Sequence, residues 1–312
     1  MTLQELKERQ KWTLNQKIDH SLGVIDQFIS RLDGKVYVGF SGGKDSTVLL
    51  DLCRVIKPDI KAVFCNTGNE YPDIVKFVRE LKDKEGYNIE IIYPGLKPRE
   101  VFDKYGFPLV SKSTSAIIGK VRRNPNGKVF ENFVVKRESI FKLAEKWMFL
   151  IDEKFDVSEK CCYQLKKKPF HEYHLNSGLF PISGEMASES IQRQMKYLQA
   201  GGCNQFGDIT ISKPLSIWLE EDIWAYIKER NLKIADIYHK GAKRTGCMFC
   251  MYGAHFKDDN RLDLCYNLYP KMYKMFMSYT NNGIEYREAA RKVLSVCGKT
   301  LPDENKQLEI EF

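Results

Sequence analysis

The sequence predicts an α/β fold with a doubly wound, mostly parallel sheet, and three observations support this prediction. Short runs rich in β-branched and aromatic residues occur at 36–40, 62–65 and 89–93. Segments with apolar residues at helical spacing separate them, at 47–53 and 73–84. A Gly-Gly turn directly follows the first run. Strands that alternate with helices in this way form a parallel sheet with helices on both faces, and ligands bind beyond the carboxyl ends of its strands.

The other elements are predicted in chain order. One N-terminal helix is expected over residues 4–32, and Asp33-Gly34 ends it. Residues 181–184 predict a strand that returns to the sheet, and residues 219–230 predict an amphipathic helix with Trp224 on its apolar side, so that Trp218 and Trp224 are both expected in the core. The predicted domains are an N-terminal helix (1–34), an α/β domain (35–253) with a basic helical insertion at about 94–180, and a helical C-terminal region (254–312).

Composition limits the class of protein. The 312 residues are 43% hydrophobic and 29% charged, close to globular averages, which excludes a disordered or fibrous chain. No apolar run approaches the ~18 residues of a membrane span, and the first residues lack the apolar core of a secretory signal. We therefore expect a cytoplasmic protein with no membrane partner. In a reducing compartment its nine cysteines are expected to bind metal, react or be buried rather than form disulfides.

The net charge of +8 is concentrated in two segments. Residues 111–137 carry an excess of six positive charges and residues 160–169 an excess of four, so that the rest of the chain is slightly acidic. Such segments are either solvated surface or sites for a polyanion. Lys112, Arg122 and Arg123 are the candidates for holding a phosphate or a nucleic-acid backbone.

The most specific local motif is Ser41-Gly42-Gly43-Lys44-Asp45-Ser46-Thr47, between the first strand and its helix. The glycines allow a tight turn and close approach to a ligand, while the free amides of the following helix attract an anion. Asp45 after the lysine differs from a Walker A loop, and an acid beside phosphates suits Mg²⁺. The motif therefore predicts a phosphate site.

At these residues the chain resembles the PP-loop ATP pyrophosphatases, whose signature is Ser-Gly-Gly-x-Asp-Ser. The second loop, residues 66–72, is similar to the Thr-Gly-x-x-Tyr/Phe-Pro segment of the phosphoadenosine phosphosulfate (PAPS) reductase branch. Residues 187–194 and 214–224 resemble further elements of that branch. The resemblance implies an adenine nucleotide alpha hydrolase-like, Rossmann-like fold.

The resemblance also implies roles for individual residues. Lys44, Asp45 and Arg193 are expected to be catalytic, and Glu189 and Arg193 are expected to contact the substrate with the basic residues of the insertion. ATP is expected with Mg²⁺, and the implied nucleotide-binding residues are Ser41, Gly42, Gly43, Lys44, Asp45, Ser46, Thr47, Asn66, Thr67, Gly68 and Glu70.

Cys161-Cys162 and Cys247-Met248-Phe249-Cys250 form the second motif. A Cys-x-x-Cys turn can place both thiolates on one metal, whereas adjacent cysteines rarely reach one tetrahedral ion together. The combination is similar to the [4Fe-4S] site of adenylylsulfate reductases, which implies these four cysteines as cluster ligands. Structural zinc, thiol chemistry and simple burial stay open as alternatives. Cys203 is a reserve ligand or reactive thiol, and His171 and His174 indicate either a mixed metal site or a surface helix.

Two departures from the reductases decide the expected reaction. Reductases generally lack the full Gly-Gly-Lys-Asp, which this chain keeps at 42–45, and they carry a Glu-Cys-Gly-x-His motif near the C-terminus, whereas residues 307–312 contain no cysteine. We therefore expect an enzyme that cleaves ATP to AMP and pyrophosphate, adenylates a substrate and supports sulfur transfer to tRNA or DNA, with a sulfur donor protein. The alternatives are PAPS or adenylylsulfate reduction with a thioredoxin-like reductant, for which Cys297 is the nearest candidate nucleophile, and a non-catalytic nucleotide-binding subunit.

Overall fold

The computed structural model describes residues 2–136 and 142–304. Two sequence arguments involve residues outside this part of the chain, namely Arg137 in the first basic segment and residues 307–312. Among the described residues, no helix has the length and apolar character needed to cross a bilayer.

The elements are labelled in chain order. The helices are α1 (Leu3–Gln10), α2 (Leu14–Arg31), α3 (Lys44–Ile56), α4 (Pro72–Asp83), α5 (Pro98–Tyr105), α6 (Lys112–Arg123), α7 (Lys128–Phe130), α8 (Lys160–Cys162), α9 (Lys168–Ser177), α10 (Ile191–Ala200), α11 (Glu220–Glu229), α12 (Arg261–Leu268), α13 (Pro270–Met277) and α14 (Tyr286–Ser295). The strands are β1 (Val36–Phe40), β2 (Ala62–Cys65), β3 (Ile89–Ile92), β4 (Phe180–Ser183), β5 (Asn204–Gln205), β6 (Ile211–Ser212), β7 (Thr280–Asn281) and β8 (Ile284–Glu285). Short 3-10 turns lie at Glu145–Ile151, Ala187–Glu189 and Asp236–Tyr238, and π-helical turns at Glu131–Val135 and Tyr163–Lys167.

The main sheet confirms the predicted fold class. Its order is β3-β2-β1-β4-β6-β5, and every pair is parallel except β5 with β6. The chain moves outward from β1 to β3 and returns to β4 on the other side of β1, which makes the β1/β4 boundary a topological switch point. Ligands of such sheets bind in the crevice beyond the carboxyl ends of the strands there. The residues that follow β1 and β4 are therefore the ones positioned for a ligand.

The prediction of one continuous helix over residues 4–32 is wrong, because the segment forms two helices, α1 and α2. Thr13 has an extended backbone (φ −62°, ψ 159°) and caps α2. Its hydroxyl accepts the Gln16 N–H, and the Gln16 side chain accepts the Thr13 N–H at 3.0 Å. This reciprocal capping satisfies two backbone donors at the start of α2 and so favours a new helix over continuation of the first.

Two compact units make up the chain. The first comprises residues 1–66, 71–93 and 170–240 and contains the six-stranded sheet, and the second comprises residues 67–70, 94–169 and 241–312. In the first unit Trp218 is fully buried as predicted, but Trp224 is 38% exposed, so its assignment to the core is wrong. In the second unit the rings of Phe102, Phe107 and Tyr286 pack together, with centroids 4.8–5.6 Å apart.

Candidate functional site

The loop after β1 is held by close packing on α4. Gly42 has a φ of +72°, and a Cβ at this position would lie 2.8 Å from Ile74 Cγ2 and 3.0 Å from Val78 Cγ2. A side chain would therefore be strained by the backbone conformation and would also overlap α4. The sequence requires glycine here because the turn is left-handed and because the backbone passes directly over a helix.

Side-chain hydroxyls of the loop bond its own backbone. The Ser41 N–H donates to Ser46 Oγ at 3.1 Å, and the hydroxyls of Ser46 and Thr47 donate to the Gly43 carbonyl at 2.9 and 3.0 Å. Gly43 is the N-cap of α3 and has no side chain to satisfy the first-turn amides. The positive end of the α3 dipole therefore lies at this loop, as anion binding requires.

Lys44 is 5% exposed and is surrounded by acceptors. Its backbone N–H donates to the Tyr238 hydroxyl at 2.8 Å, and its Nζ lies 3.0 Å from Asp45 Oδ1 and 3.4 Å from Glu220 Oε1. Burial by itself lowers the pKa of Lys44, but the carboxylates of Asp45 and Glu220 outweigh it and raise the pKa above its ordinary value. A bound phosphate would replace these internal acceptors.

The segment after β4 approaches the loop from the other side of the switch point. A Cβ at Gly184 would lie 3.3 Å from the Asp45 carbonyl oxygen. Further along, Glu189 accepts the Met186 N–H at 2.9 Å and pairs with Arg193 on the next turn of the chain. The predicted anion clamp of Arg193 is therefore occupied by a carboxylate of its own segment, and a substrate anion would compete with Glu189 for it.

The predicted nucleotide-binding residues of the second loop fall in different units. Asn66 lies in the first unit, where its N–H donates to the Ile92 carbonyl at 2.9 Å. Thr67, Gly68 and Glu70 lie in the second. There the buried Glu70 carboxylate accepts the Thr67 N–H at 2.9 Å and the Thr67 hydroxyl at 2.7 Å. A nucleotide-binding role for these residues stays a prediction.

The four proposed ligand cysteines surround one small cavity in the second unit. It is lined by Cys161, Cys162, Cys247 and Cys250 together with Asn69, Lys166 and others, and its volume is about 20 Å³. This volume suits water or a small inorganic group rather than a nucleotide. Lys166 also pairs with Glu70 at 3.8 Å.

The four cysteines are free thiols, of which Cys161 is buried and Cys162, Cys247 and Cys250 are partly exposed. Burial raises the pKa of Cys161 and that of Cys250, the latter to about 12, and the neighbouring Cys247 raises both further. Within residues 2–136 and 142–304, no three His, Cys, Asp or Glu side chains are arranged as ligands of a metal ion. The donor set itself, four thiols lining one cavity, is of the type that binds zinc or an iron–sulfur cluster.

The predicted basic residues of the insertion have different surroundings on α6. Arg122 is half-buried, donates to the Phe155 carbonyl at 2.5 Å and lies 3.3 Å from Asp156 Oδ1. Its guanidinium therefore stabilises the second unit. Lys112 and Arg123 are exposed and are the members of the set that a polyanion could reach.

Sequence reasoning missed three residues of these sites. Tyr238 and Glu220 contact Lys44 across more than 170 positions of sequence, and no local pattern marks them. Asn69 lines the cysteine cavity, whereas the prediction named only its neighbours Gly68 and Glu70, as nucleotide-binding residues. The only available signal for Asn69 was its place in the Thr-Gly-x-x segment.

Comparison with known proteins agrees with the motifs. The sequence matches the family described as the phosphoadenosine phosphosulfate reductase domain over residues 35–125 and 127–252. An adenosine 5′-phosphosulfate reductase of Staphylococcus epidermidis is 25% identical over 223 residues, which cover 71% of this chain and 72% of that protein. An uncharacterised protein of Methanocaldococcus jannaschii is 24% identical over 74% of this chain, which spans about half (45%) of that longer protein.

One solved structure matches the chain only weakly. The phosphate complex of a phosphoadenylyl-sulfate reductase from Candida auris superposes with a TM-score of 0.43 and 16% identity, covering 74% of this chain and 93% of that chain. The family match in sequence includes both the Ser41–Thr47 loop and the four cysteines. The chain therefore belongs to the phosphoadenosine phosphosulfate reductase family of the PP-loop superfamily.

Proposed function

We propose that the protein is an ATP-dependent adenylating enzyme of sulfur metabolism. The observation that supports this most directly is the loop at residues 41–47, in which the buried Lys44 and the amide end of α3 lie together at the switch point of the sheet. A lysine and free amides are suited to the charge of a pyrophosphate group. The intact Lys44-Asp45 pair favours ATP over a ligand that lacks a β,γ-pyrophosphate.

The proposed reaction is adenylyl transfer. A substrate oxygen attacks the α-phosphorus of ATP, an oxygen–phosphorus bond forms, the bond to the β-phosphate bridge breaks, and pyrophosphate leaves while the substrate proton passes to solvent. Lys44 and the loop amides neutralise the charge that develops on pyrophosphate. Asp45 would hold Mg²⁺, which neutralises phosphate charge when bound. Catalysis then comes from positioning and charge neutralisation.

We further propose that Cys161, Cys162, Cys247 and Cys250 hold a [4Fe-4S] cluster, with zinc as the alternative. The support is that all four line one cavity and that adjacent cysteines can serve separate corners of a cluster. Such a cluster would supply sulfur or redox chemistry. The proposed sulfur acceptor is tRNA or DNA, supported by the exposed Lys112 and Arg123 on α6.

The test is pyrophosphate release from ATP in the presence of tRNA or DNA and a sulfide source. Lys44→Ala should abolish release, whereas Lys57→Ala, which removes a lysine paired with Asp59 at 3.6 Å outside the loop, should leave it unchanged. ATP binding without AMP formation would instead favour a non-catalytic nucleotide-binding subunit. If the protein neither binds ATP nor releases pyrophosphate from it, the proposal is refuted.

A second candidate function is reduction of adenylylsulfate to sulfite with a thioredoxin-like reductant. It is favoured by the similarity to the Staphylococcus epidermidis reductase and by the cysteine cavity. The candidate nucleophile, Cys297, is partly exposed, and its Sγ lies 3.6 Å from Lys146 Nζ. Thioredoxin-dependent sulfite formation that is lost in Cys297→Ser would establish this function over the first.

A further inference from the structure

Asn69 has a buried polar group that the contacts of its own loop do not satisfy. The residue is 3% exposed and lines the cavity formed by the four cysteines. Its Oδ1 is buried and has no hydrogen-bond partner among the residues that the structure describes. Burial of an unpaired polar atom is costly, so such a group in a native protein calls for a ligand or another partner.

The backbone of Asn69 is fixed on both sides. Its N–H donates to Thr67 Oγ1 at 3.2 Å, and its carbonyl accepts the Met248 N–H at 2.9 Å. Met248 lies between Cys247 and Cys250, so this bond joins the Thr67–Glu70 turn directly to the Cys-x-x-Cys turn. The position of Asn69 relative to these two cysteines is therefore set by backbone contacts rather than by its side chain.

The chemistry of the cavity indicates what the side chain binds. Thiolates and inorganic sulfides accept hydrogen bonds but cannot donate them. A carboxamide is nearly symmetric in size, and a half-turn exchanges its oxygen with its NH₂ group without a change of volume. With the cavity loaded, the amide of Asn69 can therefore present N–H donors to sulfur.

We propose that Asn69 is a positioning residue of the cysteine site, which donates a side-chain hydrogen bond to the sulfur atoms of the bound centre. This inference depends on the proposed metal centre and extends it to a residue outside the ligand set. Groups that bond the ligands of a metal orient them and stabilise the loaded site, and donors to cluster sulfur raise its reduction potential.

The experiment compares wild-type protein, purified without oxygen, with Asn69→Leu and Asn69→Asp. Leucine removes all hydrogen bonding, whereas aspartate keeps the shape of the side chain and replaces the donor with an acceptor. We expect both variants to lose bound iron or zinc to excess chelator about tenfold faster. If the metal is an iron–sulfur cluster, its midpoint potential should also be lower in both variants.

Asn204→Leu is the matched control. Asn204 also has a buried Oδ1 without a partner among the described residues, but it belongs to the first unit and does not line the cysteine cavity. It should retain wild-type metal release and potential. Thermal unfolding of each variant separates a general loss of stability from a change at the site. The uncharged Asn69→Leu variant carries the test of the potential, because the carboxylate of Asn69→Asp would lower the potential by its charge alone.

The outcomes are distinct. Wild-type release and potential in folded Asn69→Leu or Asn69→Asp would overturn the role of Asn69, while the metal centre would stand. Wild-type protein with neither iron nor zinc would overturn both. Pyrophosphate release from ATP, measured separately, decides the adenylation reaction without reference to Asn69.

Discussion

Replacing Gly42 with alanine would force a side chain into space that α4 already fills. The φ of +72° costs a non-glycine residue about 1–2 kcal/mol. The new Cβ would lie 2.8 Å from Ile74 Cγ2 and 3.0 Å from Val78 Cγ2, and overpacking of such a buried contact costs about 1–3 kcal/mol. We therefore expect Gly42→Ala to lower the free energy of unfolding by about 2–5 kcal/mol.

Gly86→Ala is the control that separates the two contributions. Gly86 has a φ of +69° but nothing within 4 Å of its Cβ position, so only the backbone cost of about 1–2 kcal/mol applies. Urea unfolding followed by circular dichroism measures both variants, and calorimetry with ATP reports whether the loop still binds nucleotide. In a double variant with Ile74→Ala the two losses should be less than additive, because the overlapping methyl is gone.

Equal losses in Gly42→Ala and Gly86→Ala would refute the steric part of this reasoning. A Gly42→Ala protein with both wild-type stability and wild-type ATP affinity would refute the whole of it, since the loop would then have accepted a side chain at no cost.

The other predictions concern Lys44, a buried ion pair and a half-buried histidine. Tyr238→Phe removes the acceptor of the Lys44 N–H and should tighten pyrophosphate binding roughly fivefold by calorimetry; weaker binding would mean that the hydroxyl contacts the ligand. Lys17 is 1% exposed, and its Nζ lies 2.6 Å from Asp222 Oδ2. Lys17→Met would leave this largely buried carboxylate without its positive partner, which should lower the free energy of unfolding in urea by about 3 kcal/mol. Adding Asp222→Asn should recover part of that loss, and no recovery would contradict the ion-pair explanation. Burial lowers the pKa of His20 below 6.5, so the unfolded chain binds more protons in acid. The stabilising contribution of His20 should therefore be complete above about pH 6.5 and be lost below it. The unfolding temperature of His20→Gln should depend less steeply on pH than that of the wild type, and an unchanged slope would argue against burial of the neutral ring.

Local patterns predicted the first half of the main sheet well. The change from strand-like to helical spacing around Gly42-Gly43 marked β1, the loop and α3, and the runs at 62–65 and 89–93 marked β2 and β3. These elements were predictable because their periodicity and their turn residues lie within a few positions of each other. The break between α1 and α2 also had a local signal, the Thr13–Gln16 capping box, which was missed.

The contacts that complete the sites had no such signal. Tyr238 reaches the amide of Lys44 across 194 positions, and Glu220 reaches its ammonium group from the first turn of α11. Trp224 fits an apolar helical face by spacing but lies 38% exposed, with Lys44 Nζ 6.0 Å from its ring centroid. Periodicity identifies a face of a helix, whereas packing of distant segments decides what covers it.

The sequence by itself determined the class of fold, the phosphate-type loop and the two cysteine pairs, because glycines, hydroxyls and thiols at short spacing have few other uses. Only the tertiary structure decided that Lys44 is neutralised by its own protein, that Arg122 is an internal contact, and that Asn69 joins the cysteine cavity. The physical reason is that charge pairing and burial depend on distances between segments far apart in the chain, which local spacing does not specify.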